Sequence, residues 1–275
     1  MCGFNRRVCR EEFNRFCLPS LRLNASMKLR LDKLLLDRGL TASRERAQAL
    51  ILAGKVLVNE QKIEKAGAAV DSEVKIRLLD EDLNYVSRGG LKLEKALERW
   101  KIDVKGKVCL DVGASTGGFT DCLLQQAAAR VIAVDTGKGQ MDFRLRQDPR
   151  VRLLEKTNAR YIKPEQIGEI VDFIAMDVSF ISATLVLPAV MAAAFPESSA
   201  ERKGRQIVVL VKPQFEAGRE YVGKGGIVRD PAAQQAAVEK VRQALVAKGC
   251  SQTDVTESPI LGAEGNREFL LYACF

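Results

Sequence analysis

The sequence predicts an α/β fold: a mostly parallel sheet covered on both faces by helices, with one antiparallel edge strand, behind a small α+β unit. Three observations predict it. From Leu91 onward short apolar runs alternate with helical stretches, the rhythm of a buried parallel sheet. A glycine-rich turn joins the first of those runs to a helix, where open α/β sheets bind ligands. Ahead of it, residues 27–79 carry two amphipathic helical patterns and then short alternating runs.

Residues 1–26 contain Arg6, Arg7, Arg10, Arg15 and Arg22 with Glu11 and Glu12, so they hold no unbroken apolar core of a signal peptide. They read as a disordered extension. Leu31, Leu34 and Leu35 recur at helical spacing, and the helix stops at Gly39. Thr41 or Ser43 caps a second helix through Ala47, Leu50 and Ile51, ended by Gly54. Val56 and Val58, then Val74 and Ile76, alternate with their neighbours as short strands do. Residues 80–90 read as a linker in which Tyr85 packs between domains.

Within 91–275, strands are expected at Val108–Val112, Val131–Val134, Val151–Leu154, Val171–Met176, Ile207–Val211, Val255–Pro259 and Phe269–Phe275. The clearest helices between them are Gly117–Gln126, Ser182–Ala194 and Pro231–Lys248. No helix separates the last two strands, hence the antiparallel edge.

A chain of 275 residues suits two unequal domains. Of the net charge of +8, half lies in residues 1–28, where six Lys/Arg face two Glu, so bulk charge argues only weakly for nucleic acid. The absence of histidine excludes Ser/His and Cys/His catalytic pairs and most zinc sites, and no metal is expected. Seven cysteines without a CxxC pair read as reduced thiols of a cytoplasmic protein. Val178–Pro196 is uncharged, but it contains Ser179, Ser182, Thr184 and Pro188 and lacks a Lys/Arg flank. A strand end followed by a core helix explains it, and no stable membrane association is expected.

The densest motif is Asp111-Val112-Gly113-Ala114-Ser115-Thr116-Gly117-Gly118-Phe119. Its glycines let the backbone approach a ligand, and the helix behind it offers free N–H donors. Asp135 ends the next strand, at a spacing that suits a carboxylate holding two ribose hydroxyls. Gly-x-x-x-Gly-Gly replaces the dinucleotide fingerprint. A carboxylate at Asp111 would repel a pyrophosphate and welcome the sulfonium and amino group of S-adenosylmethionine, the cofactor expected here.

Lys92, Asp177, Lys212 and Glu268 stand at ends of expected strands or helices, and Asp177 and Lys212 each follow an apolar run. Both should emerge at the carboxyl edge of the sheet, beside the glycine loop.

The strings SRGGLKL (87–93), DVGASTGGFTD (111–121), DVSFIS (177–182), VKPQFE (211–216) and GNREFL (265–270) resemble the haemolysin-A (TlyA) family of ribosomal RNA 2′-O-ribose methyltransferases. The likeness runs from about Leu29 to the end of the chain. It implies an S4 RNA-binding domain at 27–79 and a Rossmann-like, FtsJ-type methyltransferase domain at 91–275. It also implies a Lys-Asp-Lys-Glu tetrad on Lys92, Asp177, Lys212 and Glu268, and cytidine riboses of ribosomal RNA as the target.

The chemistry asks for such residues. A ribose hydroxyl is a poor nucleophile, and Lys212 is the candidate to activate it. A free lysine titrates near ~10.4, so a second cation such as Lys92, or desolvation, must lower it before it acts as a base. A protonated Lys212 would instead steady the developing oxyanion. Asp177 would orient Lys212, and Glu268 would hold Lys92. Asn158 and Asp177 are further candidates for the cofactor pocket.

Arg30, Lys33, Arg44, Arg46 and Lys55 would form a basic face for RNA phosphates, extended by Arg88. No aromatic residue lies between Leu29 and Asn84, so backbone and shape recognition is favoured over base stacking. The expected partner is ribosomal RNA or a ribosomal subunit. Two other readings remain: a membrane-active haemolysin, which the family's name invites, and an RNA-binding ribosome assembly factor. A base methyltransferase is the nearest enzymatic rival, but Asp177-Val178-Ser179-Phe180 stands where an Asn-Pro-Pro-aromatic string would be.

Overall fold

Hydrophobic spacing and turn chemistry account for most elements of the chain, which the computed structural model describes over residues 28–275 except 42, 80–83, 196–198 and 263–264. The extension expected at 1–26 lies outside the described residues. The chain divides into two compact units, the second starting at Leu83.

In the first unit β1 (Lys28–Arg30) leads into α1 (Leu31–Asp37). Ser43 caps α2 (Arg44–Leu52), its Oγ accepting from Arg46 N at 3.2 Å. β2 (Val56–Val58), β3 (Gln61–Lys62), β4 (Ala69–Asp71) and β5 (Ile76–Leu78) follow. β2 lies between β3 and β5, and β4 pairs with β1, all antiparallel. Leu31, Leu35, Ala47, Leu50, Ile51, Val56 and Val58 form one buried cluster, so both helices turn their apolar stripes to it. Residue alternation reveals β2 and β5. β1 (KLR), β3 (QK) and β4 (AVD) carry at most one Val, Leu or Ile each, so no apolar alternation marks them.

The second unit begins earlier than the linker reading allows. Tyr85, expected to pack between domains, is buried in this unit's own core, and its hydroxyl donates to Glu94 Oε1 at 2.8 Å. The helix α3 (Gly89–Arg99) starts at once. Then come β6 (Val108–Val112), α4 (Gly118–Gln125), β7 (Arg130–Val134), α5 (Phe143–Gln147), β8 (Val151–Leu154), α6 (Pro164–Ile167), β9 (Phe173–Met176) and α7 (Ala183–Ala194). They are followed by α8 (Ser199–Arg202), β10 (Gln206–Val211), α9 (Pro213–Glu216), α10 (Pro231–Val246), β11 (Gln252–Glu257) and β12 (Phe269–Cys274).

The seven-stranded sheet has the order β11-β12-β10-β9-β6-β7-β8. β6 to β10 run parallel, and β12 is antiparallel to both β10 and β11. An antiparallel strand is therefore present, but not at the edge: β12 slots between β10 and β11. The physical reason is composition. β12 (FLLYAC) is apolar enough to be covered on both faces, whereas β11 (QTDVTE) is polar and tolerates the rim. From β6 the chain winds outward through β7 and β8, then returns to lay β9 on the other side, so a topological switch point falls between β6 and β9.

Side chains alternate across the sheet. Leu110, Val112, Ile174, Met176, Val209 and Val211 pack with α7 and α10 on one face. Cys109, Phe173, Ala175, Val208, Leu210 and Leu270 pack with α3 and α4 on the other. The uncharged stretch before residue 196 is the exit of β9 and the core helix α7, with Val186, Leu187, Val190 and Met191 buried.

Candidate active site

Strand parity decides where the tetrad points. Asp177 follows Met176, Lys212 follows Val211, and Glu268 precedes Phe269. All three therefore share the parity of Ala175, Leu210 and Leu270, on the face that α3 covers. β9 and β10 deliver Asp177 and Lys212 at their carboxyl ends. Because β12 is antiparallel and Phe269 pairs with Val211, Glu268 arrives at that same edge from the start of its strand. Lys92 reaches in from the first turn of α3, at the start of that helix.

The four groups form two ion pairs. Lys212 Nζ lies 2.6 Å from Asp177 Oδ1 and donates to Ser179 Oγ at 2.7 Å. Lys92 Nζ donates to Glu268 Oε2 at 2.6 Å, with side chains only 11% and 3% exposed. All four residues line one cavity of about 640 Å³, together with Ser87, Arg88 and the glycine loop.

Gly113, Ala114, Ser115, Thr116, Gly118 and Phe119, of the expected cofactor loop, line this cavity. At Gly113 the loop passes against the exit of β9: φ is +90° and a Cβ would lie 2.3 Å from Asp177 O, so only glycine fits. Gly117, with φ +96°, starts α4 and lines neither this cavity nor its neighbour. Its role is the turn itself.

Asp111 departs from its expected role. It shares the parity of Cys109, points under α4, is fully buried, and lines neither cavity. Its Oδ2 accepts from Thr120 Oγ1 at 2.6 Å, and its Oδ1 has no hydrogen-bond partner among the described residues. Burial pushes its carboxyl up to about 7, opposed by the Thr120 hydrogen bond and reinforced by the nearby charges of Asp177 and Asp135. It braces the loop from beneath, through Thr120, instead of lining either cavity.

A second cavity of about 290 Å³ adjoins the first, sharing Gly113, Ser115, Asp177, Ser179 and Phe180. Asp135, Thr157 and Asn158 line it, with Val112, Val134 and Val186 as apolar wall. Asp135 also shapes the site, accepting from Ser115 N at 2.8 Å and Gly137 N at 2.6 Å. A carboxylate has lone pairs left for a diol after two such bonds. Asn158 spends its Oδ1 on Arg160 N at 3.0 Å. A nucleoside with a cationic tail fits this donor set: polar groups and an apolar slot in the small cavity, and Asp177 where the two cavities meet.

Several lining residues carry no sequence-based role. Ser179 and Phe180 belong to a recognised string, but only the structure shows Ser179 against Lys212 and Phe180 standing 92% exposed at φ +65°. The Phe180 ring meets Phe215 with centroids 5.3 Å apart. Gln214 lines the same cavity, and its Oε1 is buried without a hydrogen-bond partner among the described residues.

In the first unit a fully buried Asp32 gathers part of the expected basic face. Its carboxylate accepts from Arg30 Nε at 3.0 Å, Arg44 Nε at 3.1 Å and Gln48 Nε2 at 3.0 Å. The Arg30 hydrogen bond holds its carboxyl well below the usual range, against the opposing effect of burial. Both arginine side chains remain about half exposed, at 53% and 49%. Lys33 is exposed, and Arg46 and Lys55 are half-buried. Arg88 belongs to the second unit and is exposed on the rim of the larger cavity. Among the described residues, no group of three or more Cys, Asp and Glu is placed to hold a metal ion.

Comparison with known proteins agrees with this geometry. The FtsJ-like methyltransferase model matches residues 85–275, and the S4 domain model matches residues 29–76. The 16S/23S rRNA (cytidine-2′-O)-methyltransferase TlyA of Mycobacterium tuberculosis is 44% identical over 89% of this chain and 89% of its own. Hemolysin A of Brachyspira hyodysenteriae is 41% identical over 89% of this chain and 99% of its own. A solved structure described as a hemolysin from Streptococcus thermophilus is 43% identical, with a TM-score of 0.68 over 91% of this chain and 89% of that one. Cavity, tetrad and matches together show that the chain belongs to the FtsJ-like methyltransferase family, in the S4-carrying branch that includes TlyA and hemolysin A.

Proposed function

We propose that the chain methylates the 2′-hydroxyl of cytidine ribose in ribosomal RNA, using S-adenosylmethionine. The observation that carries the reading is the meeting of two lysine–carboxylate pairs, Lys212–Asp177 and Lys92–Glu268, on one cavity wall. When bound, S-adenosylmethionine supplies a methyl on a sulfonium, an electrophile that needs only in-line approach. Asp135 and Asn158 would hold its nucleoside end, and the loop 113–119 its tail.

Lys212 is the group that meets the ribose hydroxyl, with Asp177 and Ser179 fixing its Nζ from two directions. An ammonium there steadies the forming alkoxide, and an amine there takes its proton. The Lys92–Glu268 pair closes the other side and keeps Lys92 oriented. Holding the hydroxyl in line contributes on the order of 7–11 kcal/mol to barrier lowering. Exposed Phe180 offers a face for the target base, and Gln214 offers an amide for its polar edge. Arg30 and Arg44 supply backbone contacts from the S4 unit.

The target is supported by the relatives' chemistry: TlyA of Mycobacterium tuberculosis carries the cytidine-2′-O activity in its name. Among the described residues no helix is long and apolar enough to cross a membrane, so the membrane-active reading has no element of that kind behind it. The test is transfer of a tritiated methyl group to purified ribosomal subunits, followed by nucleoside analysis. Label on a cytidine ribose is expected. Label on a base would overturn the reading, and RNA binding without label would leave an assembly factor.

A further inference from the structure

Asn266 shares the Gly-Asn-Arg-Glu-Phe-Leu string with Glu268 but stands outside the tetrad. It is buried and bridges to the glycine-rich loop 223–228 with both ends of its amide. Its Oδ1 accepts from Val228 N at 2.9 Å, and its Nδ2 donates to Gly226 O at 2.8 Å. Its own carbonyl accepts from Gly262 N at 2.9 Å. Gly262 in turn lies so close to Glu268 that a Cβ there would sit 2.4 Å from Oε1. The bridged loop lends Gly225 and Gly226 to the wall of the larger cavity, beside Val222.

We propose that Asn266 is a positioning residue for methyl transfer. Its amide registers the 223–228 loop against the Glu268 turn, so the wall that receives the nucleotide and the carboxylate that holds Lys92 keep one spacing. The proposal rests on the methyltransferase reading of the site. An amide is the side chain the place requires. It must accept and donate at once, and an apolar replacement would leave Val228 N without a partner in a buried place and Gly226 O without one in a half-buried place. Gly225 and Gly226, at φ +78° and +72°, carry no side chain that could anchor the loop. A second tether comes from α10, where Gln234 Nε2 donates to Val228 O at 2.8 Å. That tether holds the loop without engaging the Glu268 turn.

The test uses the full chain, ribosomal subunits and tritiated-methyl cofactor, with cofactor affinity measured by calorimetry. Asn266→Ala should lower kcat about tenfold and raise KM for the subunit, with cofactor Kd changed by less than about twofold. Gln234→Ala should raise KM with kcat within about twofold of wild type. Asn266→Asp, which keeps the acceptor and loses the donor, should fall between wild type and Asn266→Ala, and it decides the matter if the alanine variant does not fold. Wild-type kcat in the Asn266 variants, or the same KM-only change in Asn266→Ala and Gln234→Ala, overturns the proposal. A wild-type chain that transfers no methyl group overturns the methyltransferase reading instead.

Discussion

Lys92 Nζ lies 2.6 Å from Glu268 Oε2, a contact that joins the first helix of the catalytic unit to its last strand across 176 residues. Both side chains are almost wholly buried, so removing one partner strands a charge. Glu268→Gln alone is expected to destabilise the fold by about 3–5 kcal/mol. Pairing Lys92→Gln with Glu268→Gln should recover much of that stability while activity stays lost. Urea unfolding of the singles and the double measures the coupling.

Lys212→Ala should abolish methyl transfer and leave cofactor binding largely intact, because the cofactor's expected contacts lie at Asp135, Asn158 and the 113–119 loop. Single-turnover transfer beside calorimetry of cofactor binding checks both halves. Near-normal turnover would remove Lys212 from its role.

Phe180 is 92% exposed and therefore contributes little to the core. Phe180→Ala should leave stability within about 0.5 kcal/mol of wild type. If the ring stacks on the target base, the same change should weaken productive RNA binding by about 1–3 kcal/mol, which is about 5- to 150-fold in kcat/KM.

The raised Asp111 carboxyl has a signature in stability. The folded chain holds that proton up to about pH 7, while an unfolded aspartate releases it near 3.8. Folding therefore takes up a proton between those values, and this contribution to stability falls as pH rises through the window. Asp111→Asn should remove the decline, seen as a smaller drop in Tm between pH 5 and pH 8 than wild type shows.

Arg44 and Arg30 reach solvent from a shared carboxylate. Arg44→Ala should weaken RNA binding and flatten its salt dependence by about 0.7–0.9 in log–log slope, the loss of about one phosphate contact. An unchanged slope in filter-binding titrations would take Arg44 out of the RNA interface.

Much of this was legible in the residues because apolar runs end where chemistry begins. The clearest cases are Asp177 after Phe173–Met176 and Lys212 after Gln206–Val211. What escaped has physical causes. α3, which carries Lys92, opens on Gly89-Gly90 and reads as a breaker, although Leu93, Ala96 and Leu97 hold helical spacing. β11 is polar, so its true span, Gln252–Glu257, begins before the apolar signal does. Asp111 was legible in principle: Cys109 and Asp111 share a strand face, and that face lies under a helix.

The six residue pairs between β10 and β12 act as a ruler. Since neighbouring residues of a strand face opposite ways, a slip of a single step would swing Glu268 through the sheet and take from Lys92 the carboxylate it pairs with. Backbone pairing, rather than any side chain, thus meters out the acid, and a one-residue insertion between Glu268 and Phe269 would silence the enzyme without replacing a catalytic group.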